Sequence, residues 1–163
     1  MSMETPARSF APFEHDEAVR AVIDGFLART LPAAAWSHQA HLAVGLWHVE
    51  TAGEQAAGDL LAERIRGYNE AVGTPNNDMR GYHDTVTRYY AWAAARYLET
   101  VASLPLAART NGFVESPFGA KQGIFHFWSR DVLFSVAARR AYRPPDLRPL
   151  DAAALRAAMA ALT

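Results

Sequence analysis

Apolar residues recur at helical spacing along most of this chain, and alternating β patterns are nearly absent. Val19, Val22, Ile23, Phe26 and Leu27 fall at i, i+3, i+4, i+7 and i+8, the stripe of an amphipathic helix that begins near His15. Asp16 and Glu17 lie in its opening turn, where negative charge favours a helix N-terminus. Thr30-Leu31-Pro32 ends it. Ser37 predicts an N-cap for a second helix running to about Thr51-Ala52-Gly53, with Leu42, Leu46 and Val49 facing the core. A third helix is expected over roughly Glu54 to Val72, with Ala57, Leu61, Ile65, Tyr68 and Val72 on one face.

The turn cluster Gly73-Thr74-Pro75-Asn76-Asn77-Asp78 separates these helices from a fourth. It begins near His83 or Asp84 and carries Val86, Tyr89, Tyr90, Ala93, Tyr97 and Val101. Pro105 interrupts it or starts a short extra helix. Pro117 and three glycines mark Asn111 to Gly123 as a loop. Phe125 to Ala138 predicts an aromatic-rich helix, though Ile124 to Trp128 has the makings of a short strand. Pro144, Pro145 and Pro149 predict a tether over 143–150, leading to a closing helix with Leu155, Ala158, Met159 and Leu162. The predicted architecture is all-α. One domain over residues 1–163 would form a bundle of about five to six helices, with 1–13 as a loose lead-in.

Composition narrows the partners. Of 163 residues, 50% are hydrophobic and 20% charged, with a formal net charge of -1, ordinary for a globular domain of one core. No block of like charge supplies a drive toward nucleic acid or an anionic membrane. No apolar run approaches the roughly 18 residues of a membrane span. Met1 to Phe13 has one Arg and no apolar core of a secretory signal, so a cytoplasmic protein is expected. Cysteine is absent, which excludes disulfides, thiolate metal sites and Cys nucleophiles.

The candidate chemistry lies in the histidines. Four of the six sit in two stretches, Trp36-Ser37-His38-Gln39-Ala40-His41-Leu42 with His48 beyond it, and Gly81-Tyr82-His83-Asp84-Thr85. On an ideal helix of about 100° and 1.5 Å per residue, His38, His41 and His48 share an arc of roughly 80°. His38 and His41 are one turn apart, close enough for both imidazoles to reach one ion. His48 lies roughly 10 Å further along the axis than His41, too far to join them. A third ligand is needed, and His83, opening a helix after a long loop, is the candidate.

The expected site is therefore a divalent transition metal (Zn, Fe, Mn, Cu or Ni) on His38, His41 and His83, since imidazole ligands favour these over Mg or Ca. Asp84, Arg88 and Tyr82 are the catalytic candidates around it, with Trp36 beside them and residues 73–81 as a flexible loop near its mouth. Asp84 suits a fourth ligand or a group that orients an imidazole. Arg80 and Arg88 suit a carboxylate substrate or an ion pair with Asp84 or Asp78. Trp36, Trp47, Trp92, Trp128, Tyr68, Tyr82, Tyr89 and Tyr90 would wall a pocket or simply fill the core. His126, between Phe125 and Phe127, suits a structural place or a pocket wall, and His15 reads as a helix-start residue. Lys121, the one lysine, lies in a Gly-rich stretch without P-loop spacing.

The chain resembles a family of small uncharacterised bacterial proteins. The residues that carry the resemblance are Leu31-Pro32, Trp36-Ser37-His38-Gln39-Ala40-His41-Leu42, Arg66-Gly67-Tyr68-Asn69, Gly81-Tyr82-His83-Asp84-Thr85, Ser129-Arg130 and Pro145-Asp146-Leu147. They span about Phe26 to Leu150. Asp84 departs from the Glu usual there, shortening that side chain's reach. The resemblance implies no activity, but it draws His38, His41 and His83 together.

Three functions are consistent with these residues. The first is a small cytoplasmic metal-dependent enzyme, a hydrolase, lyase or oxygenase acting on a small molecule. The second is a metal-free small-molecule-binding module whose histidines serve as hydrogen-bond or acid–base groups. The third is a structural protein whose helices pair into a homodimer.

Overall fold

Ser37 opens the helix around which the rest of the chain packs. Its hydroxyl accepts from Ala40 N at 3.2 Å, and α2 then runs His38–Ala52. In the computed structural model, which describes residues 10–101 and 103–163, α1 is Asp16–Leu27, α3 Glu54–Ala71 and α4 Asp84–Leu98. Behind them come α5 Leu106–Glu115, α6 Arg130–Leu133, α7 Val136–Arg140 and α8 Ala152–Ala160. The chain is all-α, with no strand among the described residues. Most of the lead-in expected over 1–13 lies outside those residues.

Where α2 sits explains its composition. Leu42, Leu46 and Val49 enter one core cluster with Tyr89, Phe113, Phe127 and Trp128. Ala43 and Val44 enter a second, with Val19, Ile23 and Phe26 of α1 and Leu61 and Ile65 of α3. A helix buried on almost every face needs no polar stripe, and α2 has no Lys, Arg or Asp. Gly53, at φ +83°, closes α2 and begins α3 in the same residue, so the two helices are joined by a single turn residue.

The first four helices follow their apolar periodicity, and two later segments differ from expectation. The helix expected over Phe125 to Ala138 is divided into a 3-10 turn at Gly123–His126, then α6, then α7. Two serines divide it: Ser129 Oγ accepts from Val132 N at 3.2 Å and Ser135 Oγ from Ala138 N at 3.1 Å, each starting a new helix. No strand forms at Ile124 to Trp128. The loop expected from Asn111 is helical through Glu115, because Thr110 and Phe113 are drawn into the core. After it a 3-10 turn, Pro117–Gly119, passes so close to the end of α5 that a Cβ on Gly119 would lie 2.3 Å from Phe113 O. Only glycine fits there.

The Pro-rich tether is fastened along its length. Asp146 accepts from Ser129 N at 2.8 Å, Leu147 N donates to Phe127 O at 2.9 Å, and Trp128 Nε1 donates to Arg143 O at 2.9 Å.

Candidate functional site

A cavity of about 310 Å3 lies between α2, α3 and α4. On α2 it is lined by His38, His41, Leu42 and Gly45, on α3 by Leu61 and Ile65, and on α4 by Val86, Thr87, Tyr90 and Ala91, with Trp36 at its edge. Its wall is mainly apolar, and its volume is at the small end of ligand sites. Gly45 keeps it open: a Cβ there would meet no atom within 4 Å.

His38 and His41 are held in place by backbone carbonyls. His38 Nε2 donates to Gly119 O at 2.9 Å, tying the start of α2 to the 3-10 turn, and its ring meets Tyr90 edge-on with centroids 5.6 Å apart. His41 Nδ1 donates to Ser37 O at 2.8 Å. Its ring lies over Trp36, with centroids 3.7 Å apart, and Trp36 in turn stacks on Phe26 at 4.8 Å. Each imidazole thus has one nitrogen engaged and one without a hydrogen-bond partner among the described residues.

Loss of hydration disfavours the charged form of both rings. For His38 the loss of hydration outweighs the bond to Gly119 and lowers the pKa, with the nearby charge of Lys121 adding to the effect. For His41 crowding by protein lowers it from 6.5 toward about 4. His41 is nevertheless an exposed residue, and the water it meets weakens this effect. Burial raises the Tyr90 phenol to about 12.

The other sequence-predicted residues lie elsewhere. His83 is the N-cap of α4. Its Nδ1 accepts from Val86 N at 3.2 Å and its Nε2 donates to Leu133 O at 2.7 Å, so both ring nitrogens are engaged. The structure does not bring His83 to His38 and His41, and no group of three His, Asp or Glu stands together as a metal site among the described residues. His48 is likewise fully engaged: Nδ1 donates to Val44 O at 2.7 Å and Nε2 accepts from Arg64 at 2.8 Å. It stands apart from the cavity.

Tyr82, Asp84 and Arg88 are brought together, but they contribute nothing to the cavity wall. The buried Asp84 accepts from Tyr82 OH at 2.6 Å, Tyr142 N at 2.8 Å and Arg88 Nε at 3.1 Å, while Arg88 also reaches Asp59 at 2.9 Å. Burial, then the Asp84 carboxylate, pushes the Tyr82 phenol far above its ordinary pKa. This cluster fastens α4 to α3 and to the segment after α7. Arg80, proposed with Arg88 for a carboxylate, also lies outside the wall. The 73–81 segment is fastened too. Asn76 Oδ1 accepts from Asn69 Nδ2 at 2.9 Å and Tyr82 N at 3.0 Å, and Arg140 grips Asp78 through bonds of 2.8 and 2.7 Å. Gly81, at φ +85°, leaves no room for a Cβ, which would lie 2.3 Å from Pro75 O.

Of the polar residues in the lining, Thr87 and Tyr90 lie outside the site that the sequence predicts, Tyr90 being one of the general aromatic residues there. A polar Thr87 beside Val86, on the face that also carries Tyr90 and Ala91, is the signal that would have marked a cavity edge. No protein-family model, curated protein or solved structure matches this chain.

Proposed function

We propose that this chain binds a small molecule in the cavity between α2, α3 and α4, with His38 and His41 as its polar floor. The observation that carries this reading is the pair of imidazoles in the lining of a mainly apolar space, each anchored at one nitrogen and open at the other. Such a space with a few fixed polar groups is the usual form of a ligand site. Two larger depressions, of about 460 and 520 Å3, lie elsewhere. They are open grooves lined by charged surface residues such as Glu50 with Arg109, or Asp16 with Glu17, and include neither His38 nor His41.

Gly45 provides the test. A Gly45→Leu side chain would project into empty space and replace a helix-interior glycine, whose cost is roughly 0.5–1 kcal/mol relative to alanine. Small aromatic fragments titrated into the wild-type chain should move the NMR signals of the Trp36 indole and the α2 amides. In Gly45→Leu those shifts should vanish while the thermal midpoint holds or rises. Shifts that survive unchanged would place the binding elsewhere.

A second reading has a specific observation in its favour. Metal-ligating histidines commonly donate their other N–H to a backbone carbonyl, as His38 and His41 do. A transition metal held by these two would take its remaining ligands from water or substrate, as a metal-dependent enzyme of hydrolase, lyase or oxygenase type requires. Elemental analysis of untagged protein decides between the readings. Stoichiometric metal that disappears in His38→Ala supports the metal; traces that do not respond to the substitution support the metal-free cavity.

A further inference from the structure

Four polar side chains around the cavity direct their protons to backbone carbonyls, and the Trp36 indole N–H at its edge is the one donor without such a partner among the described residues. His38 donates from Nε2 to Gly119 O, His41 from Nδ1 to Ser37 O, and Thr87 from Oγ1 to His83 O at 2.9 Å. Tyr90 OH points at Ala120 O over a long 3.5 Å. Each of these four protons goes to a backbone carbonyl, so what remains on each of the four groups is a lone pair. The tautomers are fixed by this arrangement. Moving the His38 proton to Nδ1 would set a nitrogen lone pair against the Gly119 carbonyl and lose the bond that holds the ring.

No carboxylate, lysine or arginine lines the space. Lys121, whose charge reaches His38, is itself exposed and outside the wall. We propose that the cavity selects uncharged, mainly apolar molecules that carry an O–H or N–H donor, of which phenol is the simplest, and that it discriminates against carboxylates and against isosteres without a donor. The inference rests on the reading of this cavity as a small-molecule site.

The selection follows from what each class would leave unpaired. A phenol buries its ring against Leu61, Ile65 and Val86 and gives its proton to an imidazole nitrogen. An ether of the same shape gives nothing, and the imidazole loses its water without compensation. A carboxylate brings negative charge against lone pairs with no cation, and only the Trp36 indole N–H at the edge, to meet it, and an ammonium group finds no carboxylate. Sites built to hydrogen-bond a hydroxyl are known to reject analogues that lack it more strongly than apolar pockets reject a size change.

Phenol, anisole and benzoate, titrated separately into the full chain and followed by NMR, test the proposal. Phenol should bind about tenfold or more tightly than anisole, the equivalent of one hydrogen bond, and benzoate should show no saturable binding. Phenol alone should move the ring-nitrogen signals of His38 Nδ1 or His41 Nε2. In His41→Phe, which keeps an aromatic ring over Trp36, and in His38→Phe, the preference for phenol should shrink in at least one. Anisole binding as well as phenol, or benzoate binding best, with shifts that Gly45→Leu abolishes, would overturn the donor rule and leave the cavity a ligand site. A phenol preference unaltered in both histidine variants would overturn the rule as well. Failure of all three compounds to bind would remove the rule together with the cavity reading.

Discussion

The starts of α2 and α4 look alike in sequence and differ in what their histidines have left over. At α4, His83 accepts an amide proton with one nitrogen and donates from the other; the ring is a structural bracket, complete without a ligand. At α2, the cap is Ser37, which frees His38 and His41 from capping. Each makes a single bond to a carbonyl and retains an open nitrogen beside the cavity. The lesson concerns stoichiometry. A histidine has two nitrogens, and whether both find protein partners separates a fold residue from a site residue better than its place in a motif does.

This difference can be broken by stability measurements. The largest effect should come from Asp84→Ala, which strands Tyr82 OH, Arg88 and Tyr142 N together. Loss of one partner from a buried charged cluster costs about 3 kcal/mol or more, read as a drop in the urea midpoint. His83→Ala should follow at about 2 kcal/mol, from a lost N-cap and an orphaned Leu133 carbonyl, with His83→Asn recovering part of it through its capping oxygen. His41→Phe should change stability by less than about 0.5 kcal/mol, as substitutions at partly exposed sites usually do. Equal losses in His83→Ala and His41→Phe would erase the distinction between the two helix starts.

Acid supplies a further prediction. Burial lowers the pKa of His38, His41, His48 and His83 below 6.5, so the unfolded chain binds protons that the folded chain resists. Stability should therefore be level above about pH 6.5 and decline below it, down to the depressed folded values, which for His41 extend toward about 4. Urea midpoints measured across this range check the sign. His83→Asn should flatten part of the decline, and a midpoint that rises on acidification would contradict the burial of these rings.

Much of the fold was legible because the first four helices carry both an apolar stripe and a recognisable start. The division of the Phe125–Ala138 segment was not, although Ser129 and Ser135 are both good capping residues; a run of apolar side chains concealed two short helices. His83 escaped recognition as a cap because histidine is not among the residues that usually take that position. The candidate site was half legible. Helix spacing paired His38 with His41 and set His48 apart, but no spacing could reveal that Leu133 O and Val86 N occupy His83.

The other residues of the sequence motifs mostly turn out to be fasteners. Tyr68 OH donates to Leu31 O, Asn69 fixes Asn76, Thr85 Oγ1 donates to Ala138 O, and Asp146 receives Ser129 N. Trp36, His38, His41 and Leu42 are left lining the cavity.

The burial of α2 on almost every side has a consequence for cooperativity. Its two flanks belong to two core clusters, so opening either cluster exposes one buried flank of α2. The domain should then melt as a single unit, with the amides of α2 the last to exchange their hydrogens. A molecule in the cavity would touch this same helix, and its binding would be felt as protection in α1 and α8, elements that contribute nothing to the cavity wall.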